Sequence, residues 1–445
     1  MSLGFAAIPD APRYRLTNAR APLVLVTTTG LGADREGSAL VDITVEDGRI
    51  ASVVPAGTFS LDTDLPALDL DGGLVFPRFV DVHTHLDKGH IWARRPNPDG
   101  TFMGALTHAG ADREERWSAD DVRARMDFAI RCAFAHGTGA IRTHLDSIGP
   151  QTAISWPVFA ETREEWRGRM ALQAVSLFPI DLAIDDEAQF RAIVAETARH
   201  GGILGGVTFL GQAPTEATDR ALDRIVQAAD AEGIDLDFHV DESDAPEART
   251  LTRIAEAVIR NRFKGRVLCG HCCSLALMPD ADLSGTIARI AEARLAVVSL
   301  PLCNLYLQDR RPGRTPRWRG VAPLHELKAA GIPVMVASDN TRDPFYAYGD
   351  LDMLEVFREA TRILHLDHSG PDWIRAVAAT PADCMGLDRH GRIEPGDAAD
   401  LVLTRARSLS ELLARPQANR TVLVAGRPID TTPPDYRELD PLMKG

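Results

Sequence analysis

The chain has 445 residues, 45% of them apolar and 25% charged, which leaves ample material for a large core and gives no sign of disorder. A net charge of −14 and a sequence pI near 5.4 argue against nucleic acid or an anionic membrane as the main partner. No apolar stretch is long enough to span a bilayer, and residues 1–4 lack a basic segment leading into an apolar one, so a cytoplasmic setting is expected.

From about residue 14 to residue 74 the sequence reads as short strands broken by turn residues: 23–28 (LVLVTT), 40–45 (LVDITV) and 50–54 (IASVV). Residues 399–403 and 421–426 repeat the pattern near the other end. The expectation is a small β-sandwich domain built from residues 1–74 and 386–445.

Between these, over residues 75–385, short apolar strands alternate with amphipathic helical stretches, the mark of βα units around a parallel sheet. Strands are expected to end near His85 and Asp146, and to lie at 172–179, 203–210, 236–239, 267–271, 296–300 and 334–339. Helices are expected at 120–136, 186–200, 219–232 and 245–260, the last with Leu251, Ile254, Val258 and Ile259 at helical spacing. Eight such strands fit a TIM-like (β/α)8 barrel, a fold that puts chemistry at the carboxyl ends of its strands.

His83-Thr84-His85 closes the apolar run 74–82. Residues two apart in a strand share a face, so both imidazoles point the same way and offer a cation two ligands. Such a pair standing alone is equally a pair of surface or core histidines. Here, however, His239, Glu242, His271 and Asp339 also fall at or just after expected strand ends. On the strand 236–240, Leu236, Phe238 and Val240 share one face and His239 takes the other. Three imidazoles and the Asp339 carboxylate make a mixed N/O shell for a divalent ion, Zn or Fe, with room for water. His271 would orient that water and Glu242 would carry protons.

The six cysteines do not suggest a disulfide framework. Cys269-Gly270-His271-Cys272 has the spacing of a redox pair, but its first cysteine lies inside an alternating strand, so buried structural thiols are expected.

Val82-His83-Thr84-His85-Leu86-Asp87, Arg142-Thr143-His144-Leu145-Asp146, His239-Val240-Asp241-Glu242, Cys269-Gly270-His271, Ala337-Ser338-Asp339-Asn340 and the stretches 301–308 and 316–320 together resemble the amidohydrolase superfamily, specifically its cytosine deaminase branch. The resemblance implies a single metal ion on His83, His85, His239 and Asp339, since the lysine that bridges two metals in binuclear relatives is missing from residues 203–211. It also implies that His271 holds the nucleophilic water, that Glu242 shuttles protons to a ring nitrogen and the leaving amine, and that Asp339 takes a proton from water. The expected reaction is hydrolytic deamination of an amino-substituted heterocycle (cytosine, pterin or a related ring) by a homo-oligomer.

Cytosine deaminases carry a glutamine where this chain has Ile180, paired aspartates where it has Asp339-Asn340, and a tryptophan where it has Phe345. Ile180, Gln308, Asn340 and Phe345 are the substrate contacts that the resemblance implies, and losing a hydrogen-bonding group at Ile180 points to a ring other than cytosine. The basic run 310–319 is either a solvated or subunit-contact loop or a reader of an anionic substrate such as a carboxylated pterin. Two alternatives stand beside this reading: removal of an N-alkylamine from a triazine, and a non-enzymatic scaffold that has kept the barrel.

Overall fold

The computed structural model describes residues 4–58 and 65–444. The expectation about the chain's start therefore falls largely on residues 1–3, outside the described residues. Two compact units are formed. One takes Met1–Asp81, Arg131–Ala140 and Asp352–Pro434, the other Val82–Ile130, Ile141–Leu351 and Asp435–Gly445.

The first unit begins with β1 (Arg13–Pro22), β2 (Ser38–Glu46), β3 (Arg49–Pro55) and β4 (Ala67–Asp69), in the order β3-β2-β1-β4, followed by β5 (Val75–Pro77). The strand expected at 23–28 is not there. The chain is extended one segment earlier, and Leu23–Leu25 is a single 3-10 turn closed by Val26 N donating to Leu23 O at 3.1 Å. What hides β1 in the sequence is its irregularity. Tyr14 and Leu16 face inward, a bulge at Asn18 (φ 52°) shifts the register, and Ala19 and Ala21 face inward again.

Strands β6 (Phe79–Thr84) and β7 (Thr138–Asp146), whose first three residues each fall in the first unit, run on into the second, which carries β8 (Ala171–Leu177), β9 (Leu204–Val207), β10 (Leu236–Val240), β11 (Val267–His271), β12 (Ala296–Ser299) and β13 (Val334–Val336). One sheet runs β6-β7-β8 and a second runs β13-β12-β11-β10-β9, all of the latter parallel. Isolated parallel bridges pair Val175 with Ile203, Pro179 with Val207 and Thr84 with Asp339. Helices at Ala119–Ala135, Glu187–Arg199 and Glu216–Glu232 lie close to their expected places. The helix expected at 245–260 begins only at Thr250, because both oxygens of the buried Asp241 carboxylate accept from its first turn, Oδ1 from Thr250 N at 3.0 Å and Oδ2 from Leu251 N at 3.1 Å. A helix at Phe102–Arg116, capped by Thr101, was not among the expected elements. No helix among the described residues is long and apolar enough to cross a membrane.

Returning to the first unit, β14 (Leu401–Leu403), β15 (Thr421–Val424) and β16 (Arg427–Pro428) join β5 in a second four-stranded sheet, in the order β16-β15-β14-β5. Leu16, Val41 and Ile43 from one sheet and Leu401, Leu403 and Leu423 from the other belong to one buried apolar cluster. Asp352 anchors this unit's helix Met353–Leu364. Its Oδ1 accepts from Leu354 N at 3.0 Å, and Arg420 donates to both its oxygens at 2.7 and 2.6 Å. Burial alone would raise the Asp352 carboxyl, but the Arg420 and His136 charges outweigh it and bring it down to about 2. The sign follows. With the folded value depressed, the stabilisation is complete above 3.8 and is lost as pH falls through about 2. Arg420→Met should cost about 3 kcal/mol in urea unfolding at pH 7, because it strands a buried charge. The difference between wild type and variant should shrink as the pH is lowered towards 2.

Candidate active site

Five of the expected side chains meet where the strands of the second unit end. His83 lies in β6 with His85 just beyond it, His239 in β10, His271 at the end of β11, and Asp339 three residues after β13. All five are buried. His83 Nε2 is 3.2 Å from His239 Nε2, His239 Nε2 is 3.1 Å from His85 Nε2, and Asp339 Oδ1 is 3.2 Å from His85 Nε2 and 3.7 Å from His83 Nε2. Neighbouring backbone gives way to allow this. A Cβ on Gly270 would stand 2.8 Å from His83 Cε1, and His271 (φ 67°) and Asp339 (φ 64°) both hold left-handed conformations that such residues rarely adopt.

Burial, followed by neighbouring positive charges, holds the imidazoles of His83, His85 and His239 well below their ordinary range, so they are neutral and their lone pairs converge. Among the described residues, neither carboxylate oxygen of Asp339 and none of the Nδ1 atoms of the three histidines has a hydrogen-bond partner. Ligand atoms around a tetrahedral ion with bonds of about 2.1 Å stand about 3.4 Å apart, which matches these separations. The donor set fits a divalent cation. Ligand atoms of His83, His239, His271 and Asp339 also lie within 4.8 Å of one another, as do those of His83, His144 and Asp237. In the second grouping Asp237 is already spent on Arg142 at 2.9 Å, which leaves the His83–Asp339 cluster as the better cradle.

His271 is oriented from behind. Asn304 Nδ2 donates to Glu242 Oε1 at 3.1 Å and lies 3.0 Å from His271 Nδ1. An amide nitrogen only donates, so in this orientation of the Asn304 amide His271 Nδ1 accepts and the ring proton sits on Nε2. That Nε2 has no hydrogen-bond partner among the described residues. Burial and then the charge of Asp339 push the Glu242 carboxyl well above the ordinary range, and burial brings Asp339 up to about 7.

A cavity opens beside these groups. His85, His239, Glu242, His271, Asn340 and Phe345 line it, together with Lys88, Phe102, Leu106, Arg113, Asp146, Phe178 and Pro179. Ile180 and Gln308 are not among its lining residues, although Phe178 and Pro179, just before Ile180, are. Ile180 is buried instead and packs towards Gly206. The run 310–319 does not line the cavity either. Arg310 donates to Tyr306 O at 2.7 Å, and Arg314 and Arg311 pair with Asp309. Asn304, Lys88, Arg113 and Asp146 were not singled out in the sequence, nor was His144, whose ring centroid lies 4.0 Å from that of His83. Asn304, Lys88, His144 and Asp146 all lie inside the quoted motifs or directly beside them, whereas Arg113 belongs to the unexpected helix.

Parallel strands that deliver imidazoles and carboxylates to one cavity are an arrangement that suits metal-assisted hydrolysis. The sequence matches the model of the amidohydrolase family over residues 180–430. It is 54% identical to a pterin deaminase of Rhizobium rhizogenes strain K84, over 99% of both chains. Among solved structures, 5-methylcytosine deaminase from Klebsiella pneumoniae is similar with a TM-score of 0.79 and 25% identity, covering 93% of this chain and 97% of that one. N-isopropylammelide isopropylaminohydrolase from Burkholderia multivorans is similar with a TM-score of 0.73 and 25% identity, covering 94% and 98%. The chain belongs to the amidohydrolase family.

Removing one imidazole should empty the cradle. His239→Ala is expected to drop the divalent metal content from about one ion per chain to about a tenth of that, measured by elemental analysis after desalting. Full retention of metal in that variant would show that the ion binds elsewhere.

Proposed function

We propose that the chain deaminates a fused 2-amino-4-oxo heterocycle of the pterin class. Hydrolytic deamination of a nitrogen heterocycle is its general activity, supported by its family and its likenesses. The observation that carries the pterin class is the 54% identity to a pterin deaminase over 99% of the chain. The broad aromatic wall of Phe102 and Phe345, whose ring centroids are 5.7 Å apart, suits a fused ring.

On this reading eight parallel strands close into a (β/α)8 barrel, an inference supported by the bridges Thr84–Asp339 and Val175–Ile203 at the two sheet edges. Residues 1–74 and 386–445 make a β-sandwich around it in sequence, and 75–385 the barrel. His83, His85, His239 and Asp339 hold one ion, zinc or iron(II), both of which accept imidazole and carboxylate. Such an ion supplies Lewis acidity and draws the pKa of a coordinated water towards about 7.

The protein's own groups manage the protons. Water adds its oxygen to the amine-bearing ring carbon and gives one proton to Asp339. His271, with its proton fixed on Nε2 by Asn304, donates to the attacking oxygen and aims it. Glu242, kept protonated by burial, gives its proton to the adjacent ring nitrogen, then takes the proton of the newly added hydroxyl and passes it to the amine, after which the proton held by Asp339 restores Glu242. The C–N bond breaks, a carbonyl forms, and ammonia leaves. A second reading, loss of an alkylamine from a triazine, draws on 26% identity to an N-isopropylammelide isopropyl amidohydrolase of Pseudomonas sp. strain ADP over 77% of this chain.

An ammonia-release screen over pterins, pyrimidines, purines and triazines should give its highest kcat/KM with a pterin. Isopropylamine released from N-isopropylammelide at higher efficiency would overturn the assignment. Glu242→Gln should lower kcat by about 10³-fold or more while metal content stays unchanged. Loss of metal in that variant would move Glu242 from proton transfer into the cradle.

A further inference from the structure

Lys88 lies three residues beyond His85 and is almost sealed from solvent, yet it forms part of the cavity wall. Burying an ammonium group is costly unless a counter-charge holds it. Asp146 is the one carboxylate within 4.0 Å of it among the described residues, with Oδ1 at 3.2 Å from Nζ. Asp146 is fixed in turn by Arg113, whose Nη1 donates to Oδ2 at 3.0 Å. The neighbouring Asp87 is turned away. Its Oδ2 accepts from Ser155 Oγ and from Asp146 N, both at 2.9 Å. Phe345, on the same wall, has its ring centroid 5.0 Å from Nζ. The charge is retained, because the carboxylates around Lys88 outweigh the cost of burial and raise its pKa.

An ammonium has three donors and no acceptor. Asp146 occupies one edge of it, and the remaining N–H groups have the cavity before them. Asn340 is different, since its Nδ2 already donates to Asp343 Oδ2 at 2.7 Å and its Oδ1 lies 3.8 Å from Cys303 Sγ, so both of its polar atoms already have partners within the protein.

We propose that Lys88 is the specificity-determining donor of this cavity: it binds an acceptor atom of the heterocycle, a ring carbonyl oxygen away from the scissile amine, and rejects an amine in that place, with Asp146 as its positioning residue. An amine there would set N–H against N–H with no water to relieve it, the kind of mismatch that gives strong discrimination. The assignment rests on the reading of the chain as a heterocycle deaminase. It also relocates substrate recognition from the basic run 310–319, which does not line the cavity and whose Arg310, Arg311 and Arg314 are occupied locally, to residues next to the proposed metal cradle.

The test uses the metal-loaded protein and two rings with nothing to cleave: pteridine-2,4-dione, which is the product of pterin deamination, and pteridin-2-one, which lacks the second oxygen. Calorimetry should show wild-type protein binding the dione at least about 50-fold more tightly, and Lys88→Met should reduce that preference to about 3-fold or less. Asp146→Asn should weaken the preference on its own and add nothing once Lys88 is methionine, a non-additivity that a merely structural role would not produce. Because Lys88→Met leaves Asp146 with Arg113 alone, the double variant Lys88→Met/Asp146→Asn serves as the folded control, with metal content and melting temperature as wild type. Absence of a dione preference in wild type, or its persistence in both methionine variants, overturns the Lys88 assignment whether or not ammonia is released. A dione preference that collapses in the variants, without ammonia release from any ring, upholds Lys88 and overturns the deaminase reading.

Discussion

The Nε2 atom of His239 stands 3.2 and 3.1 Å from those of His83 and His85, and the Asp339 Oδ1 atom 3.7 and 3.2 Å from the same two, with no N–H or O–H placed between them. Lone pairs so arranged repel unless a cation stands among them, and much of the surrounding structure serves to enforce that arrangement. Gly270 makes room for the His83 ring, His271 and Asp339 adopt left-handed backbone, and Thr84 pairs with Asp339 so that the first and last strands of the set meet at the cluster. Strain of this kind persists where the remaining structure over-determines it.

Neutral and charged groups surround the cluster. Arg142 and Asp237 form a buried ion pair, and the His144 ring lies against that of His83 with centroids 4.0 Å apart and planes tilted by 38°. Asn304 links Glu242 to His271 and fixes which imidazole nitrogen carries the proton. Further out, Arg113, Asp146 and Lys88 bring charge to a wall otherwise made of Phe102, Leu106 and Phe345. A mostly apolar cavity with few directed polar groups is what selection among flat heterocycles calls for.

Much of this could be read from the sequence, and the physical reason is periodicity. Buried parallel strands leave short apolar runs, and a polar residue at the end of such a run is conspicuous, which is why His83, His85, His239, His271 and Asp339 stood out. What escaped were features whose signal is weak or distant. β1 has a bulge and three arginines, so its alternation is broken. The helix Phe102–Arg116 buries only the small apolar side chains of Ala105 and Ala109 and leaves Met103 and Leu106 exposed, so its apolar stripe is weak, and Arg113 was lost with it. The start of the helix at Thr250 depends on a carboxylate nine residues earlier. Ile180 illustrates a different limit. A residue aligned with a family's substrate contact can turn into the core while its neighbours Phe178 and Pro179 take the cavity wall.

The most direct measurement is anomalous diffraction from crystals of the metal-loaded protein, collected on both sides of the absorption edge of the bound element. The account predicts one peak per chain, about 2.1 Å from Nε2 of His83, His85 and His239 and bonded to the Asp339 carboxylate. A peak centred instead between His144 and Asp237, or no peak in catalytically competent protein, would contradict it.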